Sequence, residues 1–316
     1  MALNPNMTTS AGLSPTMQTY YDKKLLRNMK PNLVHYQFGQ KRPMPRRNGK
    51  MVQFRKYTPF APVTTPLTEG VVPDGQNIHQ TEIFAKVEQY GAYATITDML
   101  DMTALDPVVN DAVGLHGDQG SLSLDHLTRA AMAAGTNVQY ANGKTSRGAL
   151  TADDKMTMDE VAKAVRTLKK AKAPMFSRGG RRHYMAIVGP DAAYSLQKDP
   201  LWVGVATYQE KEKIYSGEIG RMLGVVFTET TEALVYEGEG AGGIDVLGIF
   251  IFGAEAYGVI DIDGGANAKS IIKPRGSAGT ADPLNQFSTV GWKIEAYVAK
   301  LLQPTWLVRV ECGAQA

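Results

Sequence analysis

The run from Lys41 to Gln80 cannot be a self-contained piece of structure, and this limits what the chain can fold into more than any other segment. It holds six of the chain's 16 prolines (Pro43, Pro45, Pro59, Pro62, Pro66 and Pro73) and no stretch of helical apolar spacing long enough to fold alone. Loops this long are rare inside compact domains. Proline removes a backbone donor and confines strands to edges, so the segment reads as an extended arm or a long hairpin. Its apolar residues, Val52, Phe54, Tyr57, Phe60, Val63, Leu67 and Val71, then need another surface to cover them. A second copy of the same chain would supply one.

With 316 residues and 43% hydrophobic content, the chain is long enough to bury a substantial core as one large or two ordinary domains. No apolar run approaches the ~20 residues of a membrane helix, and Met1-Ala2-Leu3-Asn4-Pro5 lacks the order of a signal peptide. A soluble protein made in the cytoplasm is the expectation. The single cysteine, Cys312, excludes an internal disulfide and a multi-cysteine metal site, and reads as a core or edge-strand residue. Net charge is only +3, yet residues 1–56 carry eleven Lys or Arg against one acid, Asp22. Such asymmetry suggests contact with a polyanion, or docking of the basic arm on an acidic neighbour.

Residues 14–30 are compatible with a short amphipathic helix stopping at Pro31. After the arm, residues 81–98 read as a long strand broken at Gly91. A helical region is expected from Asp106-Pro107 to about Val138, interrupted at Gly114, Gly117 and Gly120, with Leu124, Leu127, Ala131, Ala134 and Val138 on its buried face. A compositionally different section begins near Leu150. Thr157 and Glu160 form a capping box, and Met158, Val161, Val165 and Leu168 form the stripe of a helix running to about Ala173, ahead of Pro174. Tyr184 to Val188 is a buried strand, and Pro190 starts a short helix ended by Asp199-Pro200. Strands at Leu223 to Thr228, Val246 to Phe252 and Gly258 to Ile262 complete an α/β body over 150–275. Two final strands, Phe287 to Ala299 and Trp306 to Cys312, are expected to pair with the long strand before the helix, which makes the first domain discontinuous.

Catalytic chemistry is sparse. His35, His79, His116, His126 and His183 lie far apart in sequence with no metal-ligand spacing, and no Gly-x-Ser-x-Gly elbow is present. Gly238-Glu239-Gly240-Ala241-Gly242-Gly243 matches the dinucleotide glycine pattern, but a strand follows where a helix is required, so a flexible hairpin loop is expected. Gly143-Lys144-Thr145 would end a phosphate loop only if position 138 were glycine; it is Val138. Asp261 and Asp263, before a Gly-Gly turn, read as turn residues before cation ligands. No catalytic residue, metal or cofactor is assigned. Aromatics interleave with the basic arm (Tyr20, Tyr21, His35, Tyr36, Phe38, Phe54, Tyr57), a composition shared by nucleic-acid surfaces and protein interfaces. Interface packing is preferred for 41–60, and 20–36 is left open.

Several uncommon strings carry a resemblance. They are Leu67-Thr68-Glu69-Gly70, Gln89-Tyr90-Gly91-Ala92-Tyr93, Leu124-Asp125-His126-Leu127-Thr128-Arg129, Ala134-Gly135-Thr136-Asn137-Val138 and Ile214-Tyr215-Ser216-Gly217-Glu218-Ile219-Gly220, with the run from Lys273 to Gln286 and Val290-Gly291-Trp292-Lys293. With the order of arm, strand, helix, inserted body and returning strands, they resemble the major capsid proteins of tailed phages, the Hong Kong 97 fold. More narrowly, the chain resembles the family named after the coliphage N-four shell protein, over residues 20–312.

The resemblance implies an α+β capsid fold and no enzymatic activity. Its parts would be an N-terminal arm (1–40), an extended loop (41–80), a peripheral domain with strand and spine helix (81–149), an inserted α/β axial domain (150–275) and the peripheral return strands (276–316). In that fold the arm and long helix lie toward the inside, the loop overlaps a neighbour, and the inserted domain surrounds the capsomer centre. Arg46, Arg47, Phe54, Tyr57 and Phe60 would then meet the neighbouring subunit, and Lys23, Lys24, Arg27 and Lys30 are the candidates to face packaged DNA. The implied partners are further copies in pentamers and hexamers, double-stranded DNA, and portal, scaffolding and decoration proteins, in a virion assembled in the host cytoplasm. Only about a dozen residues precede the first expected helix, so a separate scaffold and an untrimmed chain are expected. Two other readings are an encapsulin-type compartment and, from a different class, a nucleotide-binding α/β enzyme using the Gly238 loop.

Overall fold

The computed structural model describes residues 25, 33–44, 49–57, 60–67, 69–70, 72, 75–103, 108–178, 180–202, 218–262, 268–277 and 282–314. In chain order the elements are β1 (Gln40–Arg42), β2 (Met51–Tyr57), β3 (Gln80–Lys86), β4 (Glu88–Thr97), α1 (Asp98–Thr103), α2 (Val108–Ala133) and β5 (Val138–Tyr140). Then come α3 (Met158–Lys170), β6 (Phe176–Arg178), β7 (Arg181–Val188), α4 (Pro190–Gln197), β8 (Glu218–Met222), β9 (Val225–Glu229), β10 (Leu234–Tyr236) and β11 (Val246–Phe252). The last are β12 (Tyr257–Ile260), β13 (Ala268–Lys273), β14 (Phe287–Tyr297), β15 (Ala299–Leu301) and β16 (Leu307–Gly313).

An eight-stranded sheet, ordered β5-β16-β11-β7-β9-β8 with β10 on β11 and β6 on β7, forms the centre of the α/β body. Its middle strands are near-continuous apolar runs because both faces are covered. Along β7, Tyr184, Ala186 and Val188 enter a core closed by α3 and α4. Met185 and Ile187, one residue out of phase, enter a second core shared with α2 and the three-stranded sheet β13-β14-β4. The alternation of side chains along a strand thus ties two layers through one sheet.

Several sequence expectations need correction. Residues 80–97 break at Val87 between β3 and β4, whereas Gly91 lies inside β4 opposite Lys293. α2 runs unbroken through Gly114, Gly117 and Gly120 and stops at Ala133; Val138 already belongs to β5. Each helical glycine costs about 0.5–1 kcal/mol, but Gly117 and Gly120 lie on the buried stripe with Val113, Ser121, Leu124, Thr128 and Met132, where packing decides the outcome. Leu124 is the only residue of the expected face that is fully buried. β14 pairs with β4 as expected, but β16 sits between β11 and β5 in the eight-stranded sheet. β13 pairs with β14, and β12 joins β1 and β15, so neither completes the body's sheet.

The local signals of α3 hold. Thr157 accepts from the Glu160 amide at 3.5 Å, and Met158, Val161, Val165 and Leu168 are buried. The Glu160 carboxylate does not turn back to Thr157; it receives the Gln139 amide at 2.7 Å and the Asn142 backbone N–H at 3.2 Å. The helix ends three residues before Ala173, and Lys172 takes a left-handed conformation in the turn that follows.

Candidate assembly surfaces

β2 and β3 form a two-stranded antiparallel ribbon, in register from Met51↔Lys86 to Tyr57↔Gln80, that carries the proline-rich segment at its far end. Its root is built into the subunit. Phe54 is 1% exposed, and its ring lies over Gly258, where an added Cβ would come within 2.3 Å of it. Val52 packs with Val87, Ile260 and Ala296. Phe54, expected to meet a neighbour, is therefore buried in its own chain. Beyond the ribbon the apolar side chains are bare: Phe60, Val63, Leu67 and Ile78 are exposed, and Val72 is 89% exposed. An apolar series of this kind, left in water, is characteristic of a contact surface.

The outward face of β4-β14-β13 offers a second surface. Gly91 and Gly291 leave its floor without side chains, since Cβ atoms there would stand 2.6 Å and 2.7 Å from the carbonyl oxygens of Trp292 and Ala92. The resulting groove of about 590 Å3 is walled by Tyr93, Ile271 and Phe287, with Lys273 and Lys293 on its rim. Tyr93 is 75% exposed.

Two buried polar clusters hold the frame, and sequence reasoning found neither. Asp125, on the buried stripe of α2, accepts the backbone N–H of His35 at 2.7 Å and of Tyr36 at 3.4 Å, and its other oxygen lies 2.6 Å from His35 Nδ1. Both side chains are fully buried. The Tyr257 hydroxyl donates to the His35 carbonyl, and the Ile262 amide donates to the Tyr36 hydroxyl at 3.0 Å, so residues 35–36 are fixed to α2, to the start of β12 and to the chain just after it. The second cluster centres on the buried Glu311 of β16. Arg147 grips it through Nε at 2.7 Å and its terminal nitrogen at 2.9 Å, Arg309 Nε adds a bond at 2.7 Å, and Arg147 also reaches Glu239. These bonds raise the Arg147 pKa, the one from Glu311 most of all. The Arg147 guanidinium covers the Tyr236 ring at 3.3 Å from its centroid. Arg309 donates to the Ala133 carbonyl, which ties the end of α2 to β16.

The other sequence-derived candidates are distributed as follows. Lys23, Lys24, Arg27, Lys30, Arg46, Arg47 and Asp263 lie outside the described residues, as does the helix expected over 14–30 apart from Leu25, which is helical and buried. Tyr57 closes β2, and Phe60 is exposed just beyond it. The Gly238 loop joins β10 to β11 as a hairpin, and it is held: the Gly238 amide donates to Asp245 at 2.8 Å and the Ala241 amide to the Leu150 carbonyl at 2.8 Å. Cys312 is buried in β16, an interior strand, and burial pushes its thiol up to about 12. Among the described residues no group of three or more His, Cys, Asp or Glu is placed to hold a metal, and no helix is long and apolar enough to cross a membrane.

A ribbon with a bare apolar end, a long helix crossed by a three-stranded sheet, and an α/β body sharing its sheet with the C-terminal strand together define the Hong Kong 97-like capsid fold. Solved structures share it along nearly the whole chain. The capsid of Ralstonia phage GP4 matches with a TM-score of 0.70 at 14% identity, over 89% of this chain and 86% of that one. The Cyanophage Pam1 capsid matches at 0.66 and 14% identity, over 92% of each chain. A virus-like particle from Pyrococcus furiosus matches at 0.51 and 10% identity, over 93% of this chain and 99% of that one. No protein-family model and no curated protein matches the sequence.

Proposed function

We propose that this chain is a structural shell subunit, the major capsid protein of a tailed double-stranded DNA phage, and that it performs no catalysis. The observation that carries this is the ribbon: its root is fixed in the subunit's own core by Phe54, while its far end bears exposed apolar residues that a single copy leaves uncovered. Phage capsids sharing the fold over about nine-tenths of the chain support the same reading. In it, residues 60–79 lie on a neighbouring copy, with Phe60 among the contacts and Arg46, Arg47 and Tyr57 beside them. The arm with Lys23, Lys24, Arg27 and Lys30 faces packaged DNA. The division into arm, loop, peripheral and axial parts belongs to this reading, with the boundary between the last two amended because β16 lies in the body's sheet. So do kinship with the N-four group, the portal, scaffolding and decoration partners, and assembly in the host cytoplasm.

Electron microscopy of the expressed protein tests the proposal. Closed shells of uniform diameter are the expected result, and a stable monomer at high concentration would overturn it. The likeness to the Pyrococcus furiosus particle supports a second reading, a compartment without a phage genome. Nucleic acid inside particles taken from infected cells decides for the phage head; a protein cargo decides for the compartment.

A further inference from the structure

The root of the ribbon holds a pocket of about 460 Å3, within the size range of small-ligand sites. Its apolar walls are Met44, Met51, Val52 and Phe84, and its charged residues are Arg42 and Arg55. Met44 and Val52 pack against the small core of Val87, Ile260 and Ala296, which fixes that side of the pocket in the subunit. Met51 and Phe84 are open to solvent, 58% and 53% exposed. Alternation along β2 puts Met51, Gln53 and Arg55 on one face, and Phe84 stands on the same face of β3, opposite Gln53. Two thioethers give these walls the freedom to fit an irregular apolar body.

The charge in this pocket is not met from within. Arg42, at the end of β1, is half-buried, and its Nε is shielded from solvent with no hydrogen-bond partner among the described residues. Its backbone is satisfied, since the carbonyl accepts the Asp261 amide at 2.9 Å, but Asp261 does not line the pocket and no described lining residue is acidic. Arg55 differs: it faces Glu82 across the ribbon and lies 3.5 Å from the Gln53 side-chain oxygen. A guanidinium cannot shed its charge by deprotonation, and a charge taken out of water is stable only beside a counter-charge or strong acceptors. The flat fork of donors matches a carboxylate or a phosphate. The apolar walls decide between them, because they solvate neither a second negative charge nor the further oxygens of a phosphate, whereas one carboxylate presents both its oxygens to one guanidinium and leaves an apolar body for Met44, Met51, Val52 and Phe84.

We propose that this pocket is a binding site for a carboxylate carried on an apolar body, with Arg42 holding the carboxylate and the two methionines and Phe84 closing over the rest. Two sources present that chemistry: a free aliphatic acid, or an aspartate or glutamate within an apolar stretch of another polypeptide. The site lies in one subunit, so it stands whether or not the chain forms shells.

Thermal melting of the unassembled full-length subunit with hexanoate as the probe tests it. Hexanoate at ten times its Kd should raise the melting point by about 2 °C, while acetate, which lacks the apolar body, and hexanamide, which lacks the charge, should not. Arg42→Met should weaken hexanoate binding about tenfold or more, whereas Arg55→Gln should change it less than about twofold, because Arg55 already faces Glu82. The same Arg42→Met chain without ligand should melt no lower than wild type, since an apolar replacement relieves a buried donor that has no acceptor. A lower melting point would make Arg42 a structural prop and overturn the site. So would the lack of a saturable shift with hexanoate, or inorganic phosphate or hexanamide binding as well as hexanoate does. Mass spectrometry of protein purified from the cells that make it separates the sources. An aliphatic acid recovered at about one per subunit supports the free ligand; crosslinks from a photoreactive methionine analogue at Met44 or Met51 to an apolar peptide containing Asp or Glu support the polypeptide. Neither an acid nor such a crosslink would refute the proposal.

Discussion

Removing the Asp125 carboxylate should loosen the junction between the chain's first described segment and the long helix. Asp125→Ala strips the acceptor from two close donors, the His35 amide at 2.7 Å and His35 Nδ1 at 2.6 Å, and from the longer Tyr36 amide at 3.4 Å. Water does not reach either side chain, and among the described residues His35 Nε2 already has no hydrogen-bond partner. A buried donor left unmet costs about 1–3 kcal/mol, so the two close bonds together set a loss of roughly 2–6 kcal/mol, with Tyr36 adding little. Against a total stability of about 5–15 kcal/mol this is a large fraction. It should appear as a melting point lower by roughly 3–9 °C. Asp125→Asn discriminates the cause. Its amide oxygen can still receive both backbone N–H groups, but its NH2 meets the ring nitrogen, forcing the imidazole proton onto Nε2, where Phe250 lies edge-on at 6.1 Å and no acceptor is found among the described residues. The asparagine variant should therefore lose less than the alanine variant and more than nothing. Hydrogen exchange should accelerate at the His35 and Tyr36 amides in Asp125→Ala and much less in Asp125→Asn. A loss below about 1 kcal/mol in Asp125→Ala would refute the reasoning, as would equal losses in the two variants.

Replacing residues 58–79 by a short Gly-Ser turn keeps the β2–β3 ribbon and Phe54, so subunits should fold with unchanged circular dichroism yet fail to close shells; normal shell yield by sedimentation would show that the ribbon's end is not an assembly element. Glu311→Gln leaves Arg147 and Arg309 facing a neutral amide in a buried site, and should lower unfolding free energy in urea by about 3–5 kcal/mol, whereas Glu239→Gln, which affects a half-exposed partner of Arg147, should cost less than about 1 kcal/mol. The Cys312 thiol is raised from 9.0 to about 12 by burial. Its folded pKa lies above the unfolded one, so the stability linked to it is intact below about 9 and falls as pH climbs toward 12. The advantage of wild type over Cys312→Ala should shrink across that window in urea titrations, and iodoacetamide should label native protein far more slowly than unfolded protein.

What was legible in the sequence was local. α3 could be read because Thr157, its apolar stripe and its terminal lysines all lie within fourteen consecutive residues, and β11 because a fully buried strand is a continuous apolar run. α2 was misjudged at its glycines, since propensity counts the cost of Gly117 and Gly120 but not their burial on the stripe that faces the core. β16 was sent to the wrong sheet because alternation along a strand does not say which distant strand it will pair with. The Asp125 cluster joins residues 90 apart in sequence. A signal was present nonetheless: Asp125 falls in helical register with Leu124, Thr128 and Met132, and a carboxylate on a buried stripe demands a donor from elsewhere.

The hairpin ribbon shows why a single expectation for the whole of one segment fails at its base. Proline content and the lack of helical spacing describe the whole of residues 41–80, and from them the segment appears uniformly dependent on a partner. The fold divides it instead. β1 adds to β12 in parallel, and Phe54 fills the space above Gly258 that any other residue would occupy, so the base of the ribbon belongs to the subunit's own core. A bare loop of twenty or more residues would lose conformational entropy on docking that a rigid base largely removes beforehand, because only the far end remains to be ordered. Gly258→Ala should therefore weaken assembly without touching any surface between copies: displacing Phe54 frees the base and restores that entropic cost. If Gly258→Ala lowers subunit stability yet leaves the concentration needed for shell formation unchanged, the rigid base contributes nothing to docking, and the ribbon's exposed end acts alone.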